Sequence, residues 1–298
     1  MVFRNIIQYI PYIFLLSLLS LFKVIGRKYS SNISSYFFTL IGPYTKHHKR
    51  AKRNIKIVWP RIERHEGNKI LFNMWSNIGR NFGEFVFLNR EVPQNNKYVK
   101  IYGIKILKKI FLVNKRKKKG IIFFSAHYGN WELAPKVLSS LGLDILTIYR
   151  KSNNKYINNL VQSMREKYAS YTPKGDVGAK KSFLWLRRGK SLALAMDQKL
   201  NEGKIVKFLG KEAYTASAIA ELAIRMNLDI VPIKTLRKEL YNEVSFYSKL
   251  KKPSNHLTHE QKVFFILEEV NSLLSKWIKE DPSQWLWIHR RWSKDLYD

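Results

Sequence analysis

Ile121-Ile122-Phe123-Phe124-Ser125-Ala126-His127-Tyr128-Gly129-Asn130-Trp131-Glu132-Leu133-Ala134-Pro135 decides the fold of this chain. Four apolar residues in a row, β-branched and aromatic, read as a strand buried on both faces, the hallmark of a parallel sheet. The small and turn-prone Ser125, Ala126, Gly129 and Asn130 break that strand and open a helix running through Leu138. In α/β proteins the corner between a strand's carboxyl end and the next helix is where ligands and reacting groups gather. His127 sits at that edge, with Glu132 about one helical turn beyond.

A His and a carboxylate so placed suit general base chemistry. The imidazole takes a proton from an attacking hydroxyl, while the carboxylate fixes its tautomer and steadies the imidazolium. Backbone N–H groups near Gly129 to Trp131 offer donors at the positive helix end. Seven His and 22 acidic residues in 298 give roughly 0.5 His-x4-acid spacings by chance, so the spacing alone carries little weight. Among the seven, only His127 combines it with a preceding buried strand. A structural His–Glu pair is the alternative.

Outward from this corner, buried strands alternate with amphipathic helices. Residues 143–149, 191–196, 205–208, 229–235 and 243–249 read as strands. Residues 67–89, 155–168, 181–188, 216–227 and 261–279 read as helices, with Thr215 as a candidate N-cap. Residues 99–112 fit a helix or a strand–helix piece, Gly103 leaving the choice open. The basic run Lys115 to Lys119 enters the central strand from the end opposite His127. This alternation predicts one α/β domain over residues 27–298, a largely parallel sheet flanked by helices. The uncharged stretch Ile6 to Phe22 is just long enough to span a bilayer, and no A-x-A-like cleavage site follows it. Residues 1–26 are therefore expected to be an uncleaved membrane anchor. Lys46, Lys49, Arg50, Lys52, Arg53 and Lys56 shortly after it would hold the body on the cytoplasmic side.

Lys+Arg of 54 against Asp+Glu of 22 gives a formal charge of +32, which demands polyanionic partners. An anionic membrane surface, acidic substrates and nucleic acid all qualify. The aromatic-basic ending Trp285 to Trp292 suits a membrane interface. It would also suit stacked bases, but no nucleic-acid fold motif accompanies it, and none is expected to bind. The absence of cysteine removes disulfides, thiolate metal sites and a cysteine nucleophile.

Ser125-Ala126-His127-Tyr128-Gly129-Asn130-Trp131-Glu132-Leu133-Ala134-Pro135 resembles the His-x4-Asp/Glu box of the lauroyl/myristoyl, or late, acyltransferases of lipid A biosynthesis. Tyr149 to Asn154, Met196-Asp197-Gln198, Lys207 to Gly210 with Ala213-Tyr214-Thr215, and Gln284 to Trp292 resemble further blocks of that family in the same order. Leu209 stands where the family has a second Phe. The resemblance implies a membrane-bound enzyme of the bacterial inner membrane, its catalytic domain facing the cytoplasm. Acyl carrier protein would be the donor and a hydroxyacyl chain of a lipid A precursor, Kdo-linked lipid IVA, the acceptor. Another glycolipid or phospholipid acceptor, or a non-catalytic basic binder, is the competing expectation. Catalysis would rest on His127 and Glu132, with substrate contacts from Arg150, Asn154, Asp197 and Gln198. Arg150, at a strand end, could pair with a phosphate; Asp197 could orient the site or cap a helix. A thioester leaves as thiolate, so neither metal nor cofactor is expected, and without a G-x-S-x-G elbow direct transfer is favoured.

Overall fold

The computed structural model describes residues 2–89, 96–239 and 241–297. Four helices lead: α1 (Val2–Ile25), α2 (Arg27–Ile41), α3 (Lys46–Val58) and α4 (Arg64–Glu84). Then come β1 (Val99–Tyr102), α5 (Ile104–Arg116), β2 (Ile121–Ser125), α6 (Leu133–Ser140), β3 (Ile145–Tyr149), α7 (Lys155–Arg165), β4 (Ser170–Pro173), α8 (Asp176–Arg187) and β5 (Ser191–Ala195). A hairpin of β6 (Lys199–Phe208) and β7 (Lys211–Thr215) follows, then α9 (Ala218–Met226), β8 (Asp229–Arg237), β9 (Asn242–Phe246) and α10 (His259–Glu280).

The seven-stranded sheet runs β1-β9-β8-β2-β5-β3-β4, and every pairing is parallel except β8 with β9. β2 lies at its centre, all four of its apolar residues at most 1% exposed. Because side chains alternate across a strand, Ile122 and Phe124 point into one core, which α9 and α10 close. Ile121 and Phe123 point into the other, closed by Leu133, Val137 and Leu138 of α6. The chain thus leaves β2 towards one face and leaves β5 towards the other, opening a crevice at the carboxyl ends of these neighbours.

Several expectations are refined. Residues 99–112 resolve into β1 and α5, hinged on Gly103 at φ +74°, where a Cβ would lie 2.1 Å from the Phe246 carbonyl. The strand expected at 205–208 belongs to the separate β6–β7 hairpin, turned through Leu209 and Gly210, both at positive φ. Thr215 ends β7, buried against Asn271 and Arg291, and Ser217 precedes α9. Trp285, Trp287 and Trp292 are at most 2% exposed and lie in the core, so they are not an interfacial belt. Their segment is drawn inward by pairing: Tyr128 and Trp285 form an antiparallel bridge, and Leu286 N–H donates to the His127 carbonyl at 3.0 Å. α1 is long and apolar enough to cross a membrane.

Candidate active site

His127 follows β2 and Asp197 follows β5, and the register of the two strands brings them together. Ser125 pairs with Ala195, so two residues further on His127 faces Asp197. The contact is double: His127 N–H donates to Asp197 Oδ2 at 3.0 Å, and Nδ1 lies 2.9 Å from Oδ1. A carboxylate can only accept, so Nδ1 carries the proton and Nε2 keeps its lone pair. Trp285 Nε1 donates to Asp197 Oδ2 at 2.8 Å. The Asp197 side chain is 2% exposed while that of His127 is 22% exposed, so the ring faces outward from a buried anion. Burial opposes charge on Asp197, but the adjoining imidazole and its hydrogen bonds hold the carboxyl well below the usual range. Burial also lowers the His127 pKa, and Asp197, helped by Glu132, more than offsets it, leaving the pKa raised.

The loop bearing His127 is fixed from three sides. Gly129, at φ +57°, has room for no side chain: a Cβ would sit 2.6 Å from the Thr235 carbonyl. Its N–H donates to Gln284 O at 3.0 Å, and its carbonyl accepts from Asn81 at 2.7 Å and Asn77 at 3.1 Å. Behind it Glu84 accepts from Arg27 (3.0 Å), Ser31 (2.8 Å), Asn130 (3.1 Å) and Arg237 (2.6 Å). Burial disfavours the Glu84 anion, yet the two guanidiniums bring its pKa down to about 2. A buried carboxylate so satisfied is a rigid support rather than a reacting group.

The sequence of this chain matches the family model of bacterial lipid A biosynthesis acyltransferases over residues 2–294. The chain belongs to that family. It is an enzyme that transfers acyl groups in lipid A biosynthesis, as the resemblance implied. No curated protein matches it.

Glu132 does not hold the ring of His127, contrary to the sequence reading. It lies before α6, where Arg165 of α7 takes both of its oxygens and Tyr168 Oη donates to one at 3.1 Å. Asp197 makes the ring contact instead. Asn154 is the N-cap of α7, its Oδ1 accepting from Tyr156 and Ile157 N–H while its Nδ2 donates to Gln8 O of α1 at 2.7 Å. Its side chain is thereby committed to structure. Arg150 is exposed at the end of β3, two strands from β2 and so about 10 Å across the sheet. Gln198 is exposed beside Asp197.

Three participants escaped the sequence reading. Arg165 is held charged, its raised pKa reflecting Glu132 winning over burial. Glu84 fell within the expected 67–89 helix, near its end, with nothing to mark it as a support of the site. His289 stands with its ring 6.3 Å from that of His127, and burial together with His127 and Arg50 lowers its pKa to about 4. The His289 ring nitrogens have no hydrogen-bond partner among the described residues, although its carbonyl accepts from Asn54 at 2.7 Å. The aromatic-basic block contained His289, but no spacing tied it to His127.

Proposed function

We propose that this acyltransferase moves a lauroyl- or myristoyl-type chain from an acyl carrier protein thioester to a hydroxyacyl chain of Kdo-linked lipid IVA. The body faces the cytoplasm at the inner membrane, with residues 1–26 as anchor. The observation that carries the chemistry is the buried Asp197 behind a solvent-reaching His127. Nε2 takes the proton of the acceptor β-hydroxyl as its oxygen bonds to the thioester carbonyl carbon. The carbonyl electron pair moves to oxygen, then returns to expel the carrier's thiolate, which recovers the proton from His127. Gly129 N–H is occupied, so the oxyanion donors reduce to Asn130 and Trp131 N–H, neither with an acceptor among the described residues, and the neutral ring of His289. Arg150 and Gln198 at the same edge are the candidate substrate contacts, Arg150 for a phosphate.

Support for the donor and acceptor comes from the family and from the charge of +32, which suits an acidic carrier and a phosphorylated lipid. The test is mass spectrometry of products from a panel of acyl carrier protein thioesters offered with Kdo-lipid IVA. A product heavier by one lauroyl or myristoyl group, absent with folded His127→Ala, is expected. Near-normal turnover by folded His127→Ala would overturn the mechanism. Transfer to other acceptors only would overturn the substrate assignment.

A further inference from the structure

α2 is built inside out. Its buried residues are Arg27, Ser30, Ser31, Ser34 and Ser35, whereas its large apolar and aromatic side chains, except Phe38 packed on Phe82, face away from the protein. Tyr29 is 64% exposed, Ile33 53%, Tyr36 71%, Phe37 54% and Leu40 55%. The spacing 29, 33, 36, 37, 40 is one helical face, so this is a continuous stripe and not scattered surface residues. A helix of a water-soluble domain shows the reverse polarity.

The inner face has the character of a helix pair in lipid. α4 presents Gly79 and Gly83, four residues apart, to the serines of α2. A Cβ on Gly79 would lie 2.4 Å from Ser34 O, and one on Gly83 2.3 Å from Ser30 O. Small residues that let backbones touch, with hydroxyls bonding across the seam, are how helices associate where no hydrophobic effect drives them together. Ser35 Oγ meets Ser76 Oγ at 2.8 Å, and Ser31 Oγ donates to Glu84 at 2.8 Å. The outer face also matches a bilayer in its chemistry. Tyrosines mark its start and middle, and Tyr44, 87% exposed, lies just past its end, while Lys28, Lys46 and Lys49 flank it, all exposed. Fifteen residues rise about 22 Å, short of a span of about 30 Å, so α2 lies along a membrane rather than through it.

We propose that the Tyr29–Ile33–Tyr36–Phe37–Leu40 face of α2 is seated in the headgroup–acyl boundary of an anionic phospholipid bilayer, a second membrane contact beyond the expected anchor. Since α2 packs on α4, and Asn77, Asn81 and Glu84 of α4 hold the His127 loop, this contact fixes the height of the site above the lipid. The inference is independent of the chemistry at His127.

The chain has no cysteine, so single-cysteine variants of the full-length protein report cleanly. Phe37→Cys and Leu40→Cys, with Lys207→Cys on the exposed hairpin as reference, would carry a polarity-sensitive fluorophore in phosphatidylglycerol-containing vesicles. The probes at 37 and 40 are expected to shift to the blue, to lose most fluorescence to bromine on the acyl chains, and to resist aqueous iodide. The probe at 207 should behave in the opposite way. Iodide quenching at 37 and 40 equal to that at 207 would overturn the proposal. So would a blue shift indifferent to the brominated lipid, because that face would then be covered by a second copy of the chain.

Discussion

Asp197→Asn replaces one oxygen by an amide nitrogen and separates two accounts of the site. Oδ2 of Asp197 receives two fixed donors, His127 N–H at 3.0 Å and Trp285 Nε1–H at 2.8 Å. The asparagine oxygen must stay there, because turning the amide around would set its NH2 against both. The NH2 then falls on the other side, 2.9 Å from Nδ1. It can only donate, so Nδ1 becomes the acceptor and the proton moves to Nε2, where the base is needed. The same change in a serine protease triad lowers turnover by about 10⁴ through the wrong tautomer. A fall of about 10³–10⁴ in kcat, or about 4–5.5 kcal/mol, is expected here, with KM little changed. Loss of one charge-assisted hydrogen bond without the tautomer switch would cost about 1.5–3 kcal/mol, about 10- to 150-fold. Steady-state acyl transfer, with circular dichroism to confirm folding, distinguishes the two. A folded Asp197→Asn enzyme within about 10-fold of the parent would refute the assignment of Asp197 as the group that sets the tautomer.

Further consequences concern charge. The base must be neutral, so with the His127 pKa raised, activity should climb with pH through a limb above 6.5; Asp197→Asn should move that limb to lower pH, which a kcat/KM profile reads. If Glu132 serves mainly to hold Arg165, then Glu132→Gln should be impaired and a second change, Arg165→Met, should recover activity; if Glu132 acts on the ring, the double variant should be no better. Glu84→Gln leaves two buried guanidiniums short of charge and should cost about 3–5 kcal/mol in denaturant unfolding. Because the Glu84 pKa is depressed from 4.5 to about 2, that contribution is present above about 4.5 and is lost as pH falls towards 2. Arg150→Lys should lower kcat/KM about 5-fold if Arg150 forks onto a phosphate at this exposed edge, whereas neutralising three of Lys115 to Lys119 should give a loss that added salt masks.

The architecture was legible because its signals are local. Four apolar residues before a Gly-Asn corner, and the stripe Val263, Ile266, Leu267, Val270 and Leu274 of α10, declare their own burial. The wiring of the site is not local. Glu132 is five residues from His127 and Asp197 is seventy, yet Asp197 makes the bond. Strand order, which no single stretch encodes, puts β5 beside β2, and register does the rest: a constant offset of 70 residues from Ile122–Leu192 onward carries through to His127 and Asp197. At the i+5 position the chain has already turned out of the strand, which aims Glu132 at α7. The block Met196-Asp197-Gln198 could be found in the sequence, but its role needed the topology.

The excess of cations was legible as a total and misleading as a use. Arg27, Arg165, Arg237 and Arg291 are turned inward, where planar guanidiniums satisfy several acceptors at once. Arg237 alone reaches Asn77, Asn81 and Glu84, and Arg291, fully buried, donates to Tyr214 O and Thr215 Oγ1 at 2.7 and 2.9 Å. Lys28, Lys46, Lys49, Lys115, Lys117 and Lys118 stay at the surface, as suits a strongly hydrated ammonium. Other arginines, among them Arg53, Arg61, Arg116, Arg150, Arg187 and Arg188, stay at the surface too, so the inward four are set apart by the acceptors they meet and not by residue type. Lysine supplies most of the cations, so the field offered to an anionic partner is carried largely by lysine, while Arg27 and Arg237, through Glu84, brace the loop on which His127 stands. Salt should therefore weaken encounter with substrate long before it disturbs the geometry of proton transfer.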